Sequence, residues 1–283
     1  SCIGIFKFTE FCGVRANVVV NDADPNIRVC LERFEERDDY RGVFVDAPTA
    51  QDLVTSETLL IICDVSNPAA FESQSLYECV RTCVIIDHHR KMVGHIDNAV
   101  LFYHEPYASS ASEMITELAQ YFGDHVKLTR LDAEALLSGI MLDTKNFVMK
   151  TGVRTFEAAA YLRKQGADTI EVRKLFSNTM DDYQKKTRLV SSAEVYRGCA
   201  IASGEYTEDI KLIAPQAADE LLNISGIKAS FVLYPDGDTV VISARSIGSA
   251  NVQIILEALG GGGNAATAGA QIKGATVREV TEQ

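Results

Sequence analysis

The chain lacks three things: an apolar run long enough to span a bilayer, a CxxC pair, and any cluster of basic residues. Its longest apolar stretches, such as "TLLIIC" and "ASFVLY", fall well short of the ~20 residues that a transmembrane helix needs. Seven cysteines are scattered at positions 2, 12, 30, 63, 79, 83 and 199. An odd number without paired spacing predicts reduced thiols in a cytosolic compartment, not a disulfide framework. With a formal net charge of −12 and no basic run to offset it, a long nucleic-acid polyanion is disfavoured as a partner. A small phosphorylated ligand is not, because bound divalent cations reverse the local sign. No signal peptide marks the N-terminus, and Ser1 stands where Met would open a gene product, so a fragment is expected.

What is present reads as an ordinary globular chain. Its 283 residues, 47% hydrophobic and 23% charged, are enough for two domains of moderate size. In the first half, strand-like "ANVVVND", "GVFVD", "TLLIICDVS" and "TCVIIDHHR" alternate with helix-like "NIRVCLERFEER" and "SQSLYECVR". That alternation predicts an open, mainly parallel α/β sheet. Ser110 and Glu113 have capping-box spacing ahead of a helical stretch, and "DAEALLSGIMLDTKNF" reads as a helix ending at Asp143. The polar segment 168–192 reads as a helical connector. Beyond it the pattern changes to a strand "CAIAS", a helix "PQAADELLNIS" with Pro215 near its first turn, and a hairpin turning at Pro235 to Asp238. A further helix then runs into four glycines, and a last strand follows. The expected division is 1–167, the connector, and a smaller α/β domain over 193–283.

Chemistry concentrates where apolar stretches end. Asp64 in "LIICDVS", Asp87 in "VIIDHH" and Asp143 in "GIMLDT" are acids at such ends, and His88, His89 and Arg90 follow Asp87 directly. The carboxyl ends of parallel strands line a common crevice, so residues far apart in sequence converge there. Carboxylate and imidazole together suit Mn²⁺, Fe²⁺ or Zn²⁺, and a second metal nearby would permit in-line attack on phosphorus. A lone histidine is more often a hydrogen-bonded core residue, which is the reading for His95, His104 and His125. Gly260 to Gly263 exceed what a helix terminus needs, which points to flexibility or to close backbone approach to a phosphate or base. Arg245 and Asn251 could join such a contact. Ser109 and Ser110, at a helix N-terminus, suit either an anion or plain capping.

The string "IIDHHR" resembles the motif that names the DHH phosphoesterases. Around it, "CDVSNP", "EPYASSASE", "GIMLDTKNF", "KTGVRTFEAAAYLR" and "LGGGGNAATAGAQ" resemble the GdpP/YybT branch, the bacterial cyclic-di-AMP phosphodiesterases, over essentially the whole chain. The resemblance implies a DHH domain and a smaller DHH-associated domain, with the active site in the cleft between. It implies two Mn²⁺ ions per intact site and hydrolysis of cyclic-di-AMP to pApA. Asp64 would bridge the metals, His88 and Asp143 would be ligands of the second, His89 and Arg90 would face the phosphate, and Asp87 would orient the histidines. Ser109, Ser110, Arg245, Asn251, Gly261, Gly262, Gly263 and Asn264 would contact substrate. The implied setting is the cytoplasmic part of a membrane-anchored bacterial signalling protein with sensor domains upstream, and a homodimer is compatible with it.

Two departures stand out. The family begins with a strand and an H-x-x-x-D-x-D-S motif supplying further metal ligands, whereas "SCIGIFKF" resembles the helix after it. On that basis this chain is expected to have little or no activity by itself. The family's glycine run is usually followed by His, and here position 264 is Asn, which cannot act as an imidazole base or cation. Two competing readings remain: a relative acting on oligoribonucleotides, pApA or pyrophosphate, and a non-catalytic nucleotide-binding sensor module.

Overall fold

The β-branched runs do become strands and the amphipathic stretches between them helices, in a computed structural model that describes residues 1–21, 25–91, 94–177, 179–248 and 250–281. Residue 22, at the end of the first expected strand, and residue 178, within the expected connector, lie outside those residues. The chain divides into two units, Ser1–Ser177 and Asn178–Gln283.

The first unit runs α1 (Cys2–Phe11), β1 (Val18–Val19), α2 (Pro25–Glu35), β2 (Phe44–Val45), α3 (Ala47–Asp52), β3 (Leu59–Cys63), α4 (Gln74–Cys79), β4 (Thr82–Asp87), β5 (Leu101–His104), α5 (Ala111–Phe122), α6 (Arg130–Asp143), α7 (Val153–Lys164) and α8 (Thr169–Lys174). Among the described residues the strand pairs of this unit are parallel, which the long connections between consecutive strands permit. The expected sheet is present in two pieces, β1–β2 and β3–β4–β5. β5 escaped the sequence reading because four residues flanked by polar loops leave too short a period to detect. The core is built from α5, α6 and α7, through Met114, Ile115, Leu136, Leu137, Ile140 and Leu162, all essentially inaccessible.

Helix starts follow the capping chemistry. The Thr129 hydroxyl and the Asp132 carboxylate cap α6 reciprocally. At α5 only half of the expected box forms: the Ser110 hydroxyl accepts from the Glu113 N–H at 3.0 Å, while the Glu113 carboxylate turns to the Ser109 hydroxyl at 2.5 Å.

The second unit runs α9 (Met180–Ser191), β6 (Glu194–Tyr196), β7 (Cys199–Ser203), α10 (Ile210–Leu221), β8 (Ala229–Asp236), β9 (Thr239–Ser246), α11 (Val252–Ala258), β10 (Gly262–Gly263), β11 (Thr267–Lys273) and α12 (Val277–Thr281). Its sheet has the order β10-β11-β9-β8-β7-β6, antiparallel except for β7–β8. Alternation along β8 serves two faces. Val232 and Tyr234 meet α9 and α10, while Ala229 and Leu233 join the cluster of Val252, Leu256 and Val280.

Two boundaries differ from expectation. α10 begins at Ile210, five residues before Pro215, which sits inside the helix. The buried stripe of Ile210, Ile213, Ala214, Ala217 and Leu221 extends the apolar face upstream, and its burial outweighs the one N–H that proline removes. β8 continues through Pro235 to Asp236, so the hairpin loop is only Gly237 and Asp238. Gly237, at φ +66°, supplies the positive φ that a two-residue hairpin needs.

A candidate metal centre at the ends of two parallel strands

Because β3 and β4 are parallel and in register, with Cys63 opposite Ile86, their polar continuations emerge side by side. The Asp64 N–H extends the ladder by donating to the Ile86 carbonyl at 2.8 Å. Asp64 then takes φ +69°, a left-handed conformation that Asp tolerates better than most residues. His88 and His89 follow the end of β4, and Asp143 ends α6.

These side chains converge. His88 Nε2 lies 3.3 Å from Asp64 Oδ1 and 3.6 Å from Asp143 Oδ2, and His89 Nδ1 lies 3.9 Å from Asp64 Oδ1. Asp64, His88 and His89 each offer a ligand atom within 4.8 Å of the others. Asp87 sits behind them, only 1% exposed, and accepts from both the His89 backbone N–H at 3.1 Å and His89 Nδ1 at 2.8 Å. Burial alone would raise the Asp87 pKa, but hydrogen bonds from His89 and Ser66 outweigh it and bring it to about 2. The same bond to Asp87 raises the pKa of His89. Burial, and then the charge of Asp64, push the Asp143 carboxyl up.

The donor set fits a divalent cation. His88 Nδ1 faces the Ala108 carbonyl at 3.2 Å, and a carbonyl only accepts, so that nitrogen carries the proton. In the neutral ring Nε2 then offers its lone pair on the side of the two carboxylates, and a cation between them would satisfy all of these groups. Asp64 Oδ1 is buried and accepts no hydrogen bond, although it points into the same space. A metal ion satisfies all three groups at once, and a backbone carbonyl holding the distal nitrogen is the usual support for a ligating histidine. His89 Nδ1 is committed to Asp87, which leaves its other nitrogen for a different partner.

Two supporting groups were not visible in the sequence. His104, read as a core histidine, pairs with Asp87 across β4–β5, and its Nε2 lies 2.5 Å from the His89 carbonyl. The Ala108 carbonyl has no side-chain signal at all. Only strand register could have pointed to His104. His95 instead pairs with Asp97 at 2.8 Å, and His125 is exposed and packs near Phe11.

Most of the remaining expected contacts are engaged locally. Arg90 is exposed, beside the centre in sequence. Ser109 and Ser110 are buried and committed to Glu113 and the start of α5. In the second unit, Arg245 donates to the Ala244 carbonyl at 2.9 Å and lies 3.4 Å from Asp219. The Asn251 side chain caps α11. The close backbone approach expected of the glycine run is to the chain's own β11. A Cβ on Gly261 would lie 2.2 Å from the Gly269 carbonyl oxygen, and one on Gly263 would lie 2.4 Å from the Thr267 carbonyl oxygen. Gly260, at φ +78°, and Gly262 have open space where a Cβ would lie. Asn264 closes this hairpin, its side-chain oxygen accepting from the Ala266 and Thr267 N–H groups, both at 3.0 Å.

Two family models match the chain: the DHH family, N-terminal domain, over residues 1–140, and the DHHA1 domain over residues 199–283. The chain belongs to the DHH family. It is 43% identical over its full length to the cyclic-di-AMP phosphodiesterase GdpP of Geobacillus thermodenitrificans and 40% identical to the cyclic-di-AMP phosphodiesterase PdeA of Listeria monocytogenes. It spans 44% of the length of each of these relatives. Among solved structures, an exopolyphosphatase-related protein from Bacteroides fragilis shares the fold with a TM-score of 0.81 at 19% identity, over 99% of this chain and 84% of that one. RecJ from Thermus thermophilus, solved with Mn²⁺, matches with a TM-score of 0.54 at 12% identity, over 99% of this chain and 53% of that one. No helix among the described residues is long and apolar enough to cross a membrane.

Proposed function

We propose that this DHH-family chain is the hydrolytic part of a metal-dependent phosphodiesterase acting on cyclic-di-AMP and releasing pApA, with Mn²⁺ as its metal. The observation that carries the reading is the unpaired Asp64 Oδ1 and the His88 Nε2 lone pair facing one point, in a chain 39–43% identical to curated cyclic-di-AMP phosphodiesterases. The curated relatives are longer than this chain, and anchoring and sensing parts would lie in such additional length.

Asp64, His88 and Asp143 would hold the divalent ion. When bound, the ion supplies Lewis-acid polarisation of the phosphoryl group and activation of water at neutral pH. The protein's own part is orientation. The Ala108 carbonyl fixes the His88 tautomer, and Asp87 holds His89 by two bonds so that its remaining ring nitrogen can donate to a non-bridging phosphate oxygen. The bond to Asp87 raises the His89 pKa, which favours a proton on the ring for donation where charge would develop on phosphorus. Arg90 and the second unit's Arg245, Asn251 and Gly261 to Asn264 are the proposed substrate contacts.

A side-by-side assay of cyclic-di-AMP, pApA and pyrophosphate with added Mn²⁺, on the longer protein, tests the reading. Cyclic-di-AMP turnover that disappears with chelator supports it. Preference for pApA or pyrophosphate transfers the chain to the competing reading. Two bifunctional oligoribonuclease and PAP phosphatase relatives, 27% and 28% identical, are the reference for that outcome.

A further inference from the structure

The turn between β5 and α5 is tied at both ends. On the strand side, the Glu105 N–H donates to the Asp87 carbonyl at 3.1 Å, and the Ala108 N–H donates to the Glu105 carbonyl at 2.9 Å. On the helix side, one peptide group, the link from Ala108 to Ser109, is engaged in two directions. Its carbonyl faces His88 Nδ1 at 3.2 Å, and its N–H donates to Glu113 Oε2 at 3.4 Å. The Ser109 hydroxyl donates to the same carboxylate oxygen at 2.5 Å and so anchors the longer bond beside it.

Helix capping does not account for this carboxylate. In a reciprocal box, the acid at the third helical position returns to the backbone N–H of the capping residue. Asp132 does so at α6, accepting from the Thr129 N–H at 2.7 Å. Glu113 has the same position in α5, yet its carboxylate reaches past Ser110 to Ser109. Burying a carboxylate is unfavourable unless hydrogen bonds hold it, and Glu113 is only 1% exposed. The first turn of α5 favours a negative charge there, and the two bonds from Ser109 do the rest. Ser109 itself is fully buried, with no surface left for a ligand.

We propose that Glu113 is a positioning residue for His88, acting through the Ala108–Ser109 peptide, and that Ser109 belongs to this support and not to the substrate surface. A carboxylate accepting from one end of a peptide group polarises it, so its carbonyl becomes a stronger acceptor for the Nδ1 proton. The peptide also cannot rotate without breaking its bond to Glu113. Both effects hold the proton on Nδ1. A counterweight is needed there, because Asp64 and Asp143 lie beside Nε2 and would otherwise draw the proton to it, where it would block a cation. The inference rests on the metal-centre reading of Asp64, His88 and Asp143, but it requires no particular phosphate substrate.

Two readouts on the 283-residue chain test it. In the metal-free chain at mildly alkaline pH, long-range proton–nitrogen NMR spectra report which ring nitrogen of His88 carries the proton. The unsubstituted chain should show Nδ1–H, and Glu113→Gln a mixture of both tautomers. Titration calorimetry should find Mn²⁺ bound about 10–100-fold more weakly by Glu113→Gln, the range for losing an outer support of a ligating histidine. Thr129→Ala controls for stability: it removes the α6 cap and lowers the unfolding midpoint, and it should leave both readouts unchanged. Glu113→Gln that keeps Nδ1–H and full Mn²⁺ affinity overturns the proposal and leaves Glu113 a structural residue of α5. If Glu113→Gln does not fold, Ser109→Ala decides, since it removes the short bond and little volume: unchanged tautomer and affinity refute the proposal. An unsubstituted chain that binds no Mn²⁺ would defeat the metal reading by itself, and the tautomer spectra would then decide the role of Glu113 by the same criterion.

Discussion

Asp64 combines two roles that a single substitution can separate. Its carboxylate points at the centre and its backbone sits at φ +69°. Asp64→Asn keeps a residue that tolerates the left-handed region, whereas Asp64→Ala should lose about 1 kcal/mol of stability to backbone strain. Both should abolish detectable Mn²⁺ binding by titration calorimetry, so denaturation curves separate the pair and metal binding does not. Asp87 is different in kind, because it touches His89 and not the metal position. Asp87→Asn should leave Mn²⁺ binding measurable while turnover falls about 10–100-fold, the range for removing a group that orients a site histidine. Loss of metal binding and turnover together would move Asp87 into the ligand set.

Among the elements, the β10–β11 hairpin needs its glycines for its own packing. Gly261 and Gly263 lie against β11 backbone, which cannot move aside as a flexible side chain could. Gly261→Ala and Gly263→Ala should each destabilise the second unit by about 1–3 kcal/mol. Gly262→Ala meets nothing within 4 Å and should change stability by less than about 0.5 kcal/mol. A nucleotide-binding defect in Gly262→Ala with unchanged unfolding would identify it as the ligand contact of the run; unchanged binding would leave the run a purely structural device. The same elements show why periodicity found α5, α6 and α7 but misplaced the start of α10. Proline is a strong punctuation mark in a sequence, yet six buried apolar residues along Ile210–Leu221 override it.

At the scale of the whole molecule, the two units carry separate cores: one on α5, α6 and α7, the other on both faces of the second unit's sheet. A metal bound at Asp64, His88 and Asp143 stabilises only the unit that contains them. At one hundred times its dissociation constant, Mn²⁺ adds about 2.7 kcal/mol, a midpoint rise of roughly 5–10 °C for a unit of this size. Scanning calorimetry should show that shift in one transition, reversed by chelator and absent in Asp64→Asn. A shift that persists in Asp64→Asn would place the metal elsewhere.

Sequence alone marked the side chains that converge at the candidate centre, and the strands leading to Asp64 and His88, because apolar runs ending in "CDVS" and "IIDHHR" record both a strand and its polar exit. It determined the family too, through phrases spread over the whole chain. Tertiary structure alone decided what those residues face. Register brought His104 to the His89 carbonyl, the turn before α5 aimed the Ala108 carbonyl at His88, and hairpin packing claimed Gly261, Gly263 and the Asn264 side chain. Backbone carbonyls and cross-strand neighbours leave no periodic trace in a sequence, since their positions depend on which segments meet in space. The side chains that would bind a metal were legible; the contacts that orient them were not.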